Sequence, residues 1–263
     1  IDISSSSTVT GYGRYDAIAK ETIWVIDSTT NNVDGTTAIT NAGTISSRYG
    51  SPDAYGDAAI IERGPGRIEV SNSGALRGRV DFEAANSSEL INSGSTSWHT
   101  TGYSILSDGT GTALAASNPA AWLYGVYVND LVVNSPTGLL GTASGGVPTT
   151  IDFAGGNDLF ANNGNFVAGE QTKAASQTNL DNLEYFYNTG SVFFGANQSG
   201  TPLYSDGFTD DHIDAGTAAF HGGGVGSVYG GVGSQFFMDA FVGAGGVADT
   251  LTAGALRGDT RIW

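Results

Sequence analysis

Cysteine is absent from the chain, so it has neither a disulfide scaffold nor a cysteine nucleophile. Basic residues are scarce, with 10 Lys plus Arg against 26 Asp plus Glu and a net charge of −16. A field of that sign repels a phosphate backbone, which excludes nucleic acid as a partner. Long apolar runs are missing as well. The most apolar stretch, Ala120 to Val128, is bounded by Pro119 and Asn129 and falls far short of the roughly 20 residues a membrane helix needs. The chain opens on Ile1-Asp2-Ile3 without a Met or a charged-then-apolar leader, as expected of a mature product or a fragment from which the targeting segment has been removed.

What the 263 residues do contain is 40 Gly and enough apolar material, 40%, for a sizeable core. Apolar residues seldom recur at three- and four-residue spacing, and Gly interrupts nearly every window at a cost of about 1 kcal/mol per helical position. Short alternating segments recur instead, at Glu21 to Asp27, Arg67 to Val70, Arg79 to Phe82 and Gly190 to Phe194, each bounded by Gly, Asn or Asp. The expectation is an all-β protein forming one elongated domain over 1–263.

A degenerate repeat runs through these strands: an apolar residue, any residue, Asn, any residue, Gly. It occurs at Ile39 to Gly43, Val70 to Gly74, Leu90 to Gly94, Phe160 to Gly164 and Phe186 to Gly190, placing Asn at 41, 72, 92, 162 and 188. Intervals of 20 to 31 residues suit one round of a stacked repeat. The interval of 70 suits a weakened motif or an insertion, placed at 103–150; 196–236 is expected to form Gly-rich irregular rounds. At each corner Asn is expected to use the left-handed region and Gly a positive φ, with Ile39, Val70, Leu90, Phe160 and Phe186 pointing inward. Asn side chains on successive rounds can also stack as amide ladders. Hairpin turns in an antiparallel sandwich are the competing explanation, but the same apolar positions flank every copy, as stacked equivalent rounds require.

The repeats resemble those of bacterial autotransporter passengers, particularly from alphaproteobacteria. The resemblance is carried by Ile151 to Phe160, with Gly155-Gly156-Asn157-Asp158 leading into Asn162-Asn163-Gly164, and by Asn182 to Phe186 leading into Asn188-Thr189-Gly190. Met238 to Leu251 and Gly258 to Trp263 are similar to the last passenger repeats before such a protein's membrane barrel. It covers roughly two-thirds of the chain; 103–150 and 196–236 match poorly. It implies a right-handed parallel β-helix, a solenoid with one or two loop insertions, exported through an outer-membrane β-barrel translocator and displayed at the cell surface. It does not imply a single activity.

Three groups of residues are candidates for function. Trp98, Trp122, Tyr124 and Tyr127 lie in or near the proposed insertion and are the expected binding residues, because loops carry recognition and aromatic rings anchor interfaces. Asp158, Asp206, Asp210 and Asp211 are candidates for calcium, although the nonapeptide calcium motif needs tandem copies and only one imperfect copy occurs here. Asp210, Asp211 and His221 are the enzyme candidates, since clustered carboxylates on such a scaffold can hydrolyse glycosides. Asn188 to Gly190, Asp210-Asp211, His221-Gly222 and Arg261-Ile262 are similar in order to polygalacturonase motifs, but Gly190 stands where that family requires Asp. The expected function is therefore non-enzymatic: an adhesin or self-associating surface protein whose partner is a host or neighbouring-cell surface, a glycan or the protein itself. A carbohydrate-active enzyme and a surface-layer or filament subunit are the alternatives.

Overall fold

The computed structural model describes residues 1–11, 23–25, 36–47, 58–62, 64, 66–94, 98–100, 103–106, 129–142, 149–168, 177–194, 212–214, 219–220, 224–225, 227–238 and 249–263. Among them there is no helix; 28 strands account for the regular structure. The first sheet holds β1 (Asp2–Ile3), β4 (Thr36–Asn41), β7 (Arg67–Asn72), β10 (Ser87–Asn92), β13 (Asp130–Asn134), β16 (Asp158–Asn162), β19 (Tyr185–Asn188), β24 (Ser227–Gly230) and β27 (Ala255–Gly258), in that order. The second holds β2 (Thr8–Gly11), β5 (Thr44–Ser47), β8 (Ala75–Arg77), β11 (Trp98–His99), β14 (Leu139–Gly141), β17 (Asn165–Val167), β20 (Ser191–Phe193), β25 (Gln235–Phe237) and β28 (Arg261–Ile262). The third holds β3 (Ile23–Val25), β6 (Ala58–Glu62), β9 (Arg79–Asp81), β12 (Tyr103–Ile105), β15 (Thr149–Asp152), β18 (Gln177–Asp181), β21 (His212–Asp214) and β26 (Thr250–Thr252). A separate antiparallel pair joins β22 (Ala219–Phe220) to β23 (Gly224–Val225).

Within the three large sheets every pairing is parallel, and each strand's neighbours are its counterparts one passage earlier and later. One passage through the three sheets is here called a round. Asn72 stands in register with Asn41 on one side and Asn92 on the other, which removes the hairpin explanation of the Asn-x-Gly repeat. The segment proposed as an insertion contains ordinary round strands: β12, β13 and β14 lie wholly inside 103–150 and β15 begins there. The Gly-rich 196–236 likewise contributes β21, β24 and part of β25 in regular register.

Alternation at period two sends one set of side chains inward. In the first sheet the inward column is Ile39, Val70, Leu90, Val132, Phe160, Phe186 and Val228, all buried. In the second it is Ile45, Leu76, Trp98, Leu140, Phe166, Val192 and Phe236, also buried. Phe160 stacks on Phe186 with ring centroids 4.9 Å apart, and Phe166 meets both edge-on from the second sheet. Offset stacking and edge-to-face contact are the favoured aromatic geometries, and the three rings join the two sheets through both.

The corners differ from expectation in one physical respect. None of the five repeat asparagines, nor Gly43, Gly74, Gly94, Gly164 or Gly190, has a positive φ. Glycine is required there by close stacking: a Cβ on Gly190 would overlap the carbonyl oxygen of Gly164 one round below, and a Cβ on Gly74 would overlap that of Gly43. The left-handed region is used elsewhere, by Ala154 and Asn182 among non-glycine residues.

Candidate functional site

The asparagines form a continuous buried ladder. Asn41 Nδ2 donates to Asn72 Oδ1 at 2.7 Å, Asn72 to Asn92 at 2.9 Å, Asn92 to Asn134 at 3.0 Å, Asn134 to Asn162 at 2.8 Å and Asn162 to Asn188 at 2.7 Å. Asn188 then donates to Ser234 Oγ, and Ser234 contacts Thr260 Oγ1, so hydroxyls extend the chain of hydrogen bonds. The second amide hydrogen of Asn41, Asn92, Asn134 and Asn162 bonds the backbone carbonyl of Ala75, Leu139, Asn165 and Ser191 respectively. This ladder is architectural: every amide is consumed in holding one round to the next. Asn134 belongs to it although its corner, Asn134 to Gly138, is two residues longer than the repeat.

Four residues before the ladder asparagine, on the same inward face, a second polar column runs through Ser88, Asp130, Asp158 and Glu184, all buried. Ser88 N–H and Oγ donate to Asp130 Oδ1 at 2.8 and 2.7 Å. Asp130 N–H donates to Asp158 Oδ1 at 3.0 Å, and Asp158 N–H to Glu184 Oε2 at 2.9 Å. Three carboxyl groups thus occupy consecutive rounds at a position where β7 places the apolar Ile68. Burial pushes the Asp158 carboxyl up to about 11, and the neighbouring charges of Asp130 and Glu184 act in the same direction.

This places Asp158 inside the stack, not in an acidic loop open to calcium. Among the described residues no group of three or more His, Cys, Asp and Glu is arranged to hold a metal ion. Asp206, Asp210, Asp211 and His221 lie outside the described residues, as do Trp122, Tyr124 and Tyr127. Trp98 is buried between Leu76 and Leu140, and its Nε1 donates to Gly78 O at 3.1 Å; its ring is core, not a binding surface. The fragment Ser97-Trp98-His99 carries no repeat motif that would reveal this inward position.

Outward positions of the first sheet change character along the stack. Glu69 and Glu89 come first, both paired with Arg67. Leu131, Val133, Leu159 and Ala161 follow as a buried apolar cluster separate from the main core. Tyr185, Tyr187 and Tyr229 come next, half-buried, with the Tyr185 and Tyr229 rings 6.3 Å apart. The exposed Arg257 places its guanidinium 5.7 Å from the centre of the Tyr229 ring. Burial first, then the charges of Tyr229 and Glu184, raises the Tyr185 phenol, which keeps it a neutral donor. The stripe therefore offers π faces, phenolic hydroxyls and one cation on a rigid surface. Its signal in the sequence is the alternation Tyr185-Phe186-Tyr187, outward rings flanking an inward one.

A cleft of about 590 Å³ lies beside the last rounds, lined by Ser234, Gln235, Asp259, Thr260 and Arg261 among others. Among the described residues its lining has one carboxyl group, that of Asp259. No protein-family model matches the chain, and no curated protein or solved structure matches it either.

Proposed function

We propose that the chain is a right-handed parallel β-helix acting as a surface-displayed adhesin or self-associating protein, of the type carried as an autotransporter passenger. The observation that carries this reading is the outward stripe of Tyr185, Tyr187, Tyr229 and Arg257, built on strands locked from behind by the asparagine ladder. Aromatic and arginine side chains on a preformed surface contribute disproportionately to binding, because little conformational freedom is lost on contact. The partner is a cell surface, a glycan or a second copy of the protein, and the route outward is a membrane barrel in the precursor. Parallel in-register strands and repeats with the passenger pattern support that route.

The test is adhesion of labelled protein to cells and glycan-coated beads, together with its concentration-dependent self-association. Tyr187→Ala with Tyr229→Ala is expected to weaken binding at least about tenfold, the size of a loss of about 1.4 kcal/mol, and to leave the β-type circular dichroism unchanged. Binding that survives both changes removes the stripe from the proposal.

A further inference from the structure

Basic side chains are scarce in this chain, yet two of the 10 Lys and Arg flank a single corner of the last described round. Arg257 lies in β27 in register with Tyr229, and Arg261 opens β28 in register with Gln235. Both are exposed. Earlier in the stack Arg67 is paired with Glu69 and Glu89, and Arg79 with Asp81. No carboxylate among the described residues forms an ion pair with Arg257 or Arg261. In a protein of net charge −16 acidic partners are plentiful, so two open guanidinium groups at one corner mark a place that can receive an anion.

The corner between the two arginines is a wall of the cleft of about 590 Å³, a volume inside the roughly 300–1,000 Å³ of small-ligand sites. Gln235, Asp259 and Thr260 line it beside Arg261. The side chains of Gln235 and Asp259 make no hydrogen bond among the described residues, which leaves an amide and a carboxylate to serve the hydroxyls of a ligand. Main-chain bonds set the shape of the wall: Ser234 N–H donates to Gly231 O at 3.0 Å, Asp259 N–H to Gly230 O at 3.0 Å and Arg261 N–H to Ser234 O at 3.1 Å. A wall held in this way needs little ordering on contact.

The cleft is continuous with the tyrosine stripe. A Cβ on Gly231 would overlap the phenol oxygen of Tyr187, so that hydroxyl rests on the residue preceding Val232 and Gly233, which line the cleft. Tyr229 stands in register with Tyr187 and carries the Arg257 guanidinium over its ring. An aromatic ring presents a negatively polarised face. The C–H face of a sugar is complementary to it, and the hydroxyls at the sugar's edge require the donors and acceptors that the cleft holds.

We propose that stripe and cleft together form a site for a glycan bearing an acidic sugar: Arg257 and Arg261 receive its carboxylate, Tyr187 and Tyr229 stack on a sugar face, and Gln235 and Asp259 bind hydroxyls. The assignment rests on the adhesive reading of the stripe and commits its partner to one chemistry. Planar guanidinium groups match a carboxylate with two parallel hydrogen bonds each. The overall charge of −16 opposes a dense polyanion, so the ligand that fits carries its carboxylates among neutral sugars.

The experiment titrates the whole chain calorimetrically with sialyllactose and with a hyaluronan tetrasaccharide, two glycans of unrelated skeleton, and with the methyl ester of each. At least one acid is expected to bind at least about tenfold more tightly than its ester, the size of one charge-assisted hydrogen bond. Arg257→Gln and Arg261→Gln are each expected to remove most of that preference, and Tyr187→Ala to weaken acid and ester together. Arg261→Lys keeps the charge without the planar fork and is expected to retain part of the preference; it decides the matter should a Gln variant fail to fold. Equal affinity of acid and ester for both glycans, or binding of neither, overturns the proposal, as does a preference that survives the arginine changes. Cell adhesion that depends on Tyr187 and Tyr229 without any preference for the acid overturns this assignment alone. Carboxylate-dependent binding without adhesion to cells overturns the adhesive reading alone.

Discussion

Asn72 Nδ2 donates to Asn92 Oδ1 across 2.9 Å, although 20 residues separate them in the chain. The same atom pair recurs wherever two ladder rounds meet, and each amide is fully buried. Removing one member therefore strands a donor on one side and an acceptor on the other. Asn92→Ala is expected to cost at least about 1–3 kcal/mol, the penalty for leaving a buried polar group unpaired. Asn92→Asp keeps the shape but loses the donor toward Asn134 Oδ1, so it is expected to be less stable at neutral pH than in acid, where a protonated carboxyl restores the bond. Denaturant unfolding at two pH values measures both effects.

Leu90 sits in the inward column between Val70 and Val132. Leu90→Ala is expected to lower stability by about 2 to 5 kcal/mol, through lost contacts and the cavity left behind. The exposed Ser71, one position along the neighbouring strand, serves as control, and Ser71→Ala is expected to stay within about 0.5 kcal/mol of wild type. Equal thermal shifts for the two would contradict the inward assignment.

Gly190→Ala tests why glycine recurs at the corners. The added Cβ would overlap Gly164 O, a backbone atom that cannot swing away, so two rounds must separate locally. A loss of about 1 to 3 kcal/mol is expected, the usual range for overpacking. A neutral or stabilising change would show that the corner relaxes freely and that close stacking is not what demands glycine.

Function is tested apart from stability at residues 122 and 124. Trp122→Ala with Tyr124→Ala is expected to weaken adhesion or self-association while leaving the circular dichroism unchanged, and Asp210→Asn with Asp211→Asn to leave binding untouched. If the carboxylate pair instead abolishes a measurable glycan cleavage, a hydrolase replaces the adhesin.

The parallel register was legible in the sequence because two constraints repeat together: an Asn whose amide must find a partner, and an apolar residue two positions earlier that must face inward. Ile39 with Asn41 and Phe186 with Asn188 show the pair intact. Asn134 lies outside the repeat pattern because its corner, Ser135-Pro136-Thr137-Gly138, is longer and displaces the glycine that marks the others. The carboxyl column has its own signal in the sequence, an acid four residues before each of Asn134, Asn162 and Asn188. Period-two alternation puts that position on the inward face, where an acid is unexpected. Glycine's role at the corners differs from expectation for a physical reason. Conformational freedom is a property of one residue, whereas the overlap at Gly74 arises from a neighbour 31 positions away.

Asn92 meets Asn134 after 42 residues and Asn134 meets Asn162 after 28, yet the hydrogen bonds are nearly the same length. Chain length between ladder positions is thus free, while phase within the round is fixed. The number of rounds, by contrast, changes without loss of the internal pattern only by duplication or loss of a stretch running from one ladder asparagine to the next. Excising residues 134–161 would seat Asn162 on Asn92 and leave the inward face uninterrupted, whereas removing a single residue inside a strand would turn that face outward. Growth and shortening along the stack are therefore quantised, and the count of rounds becomes a heritable variable separate from the length or sequence of any one of them.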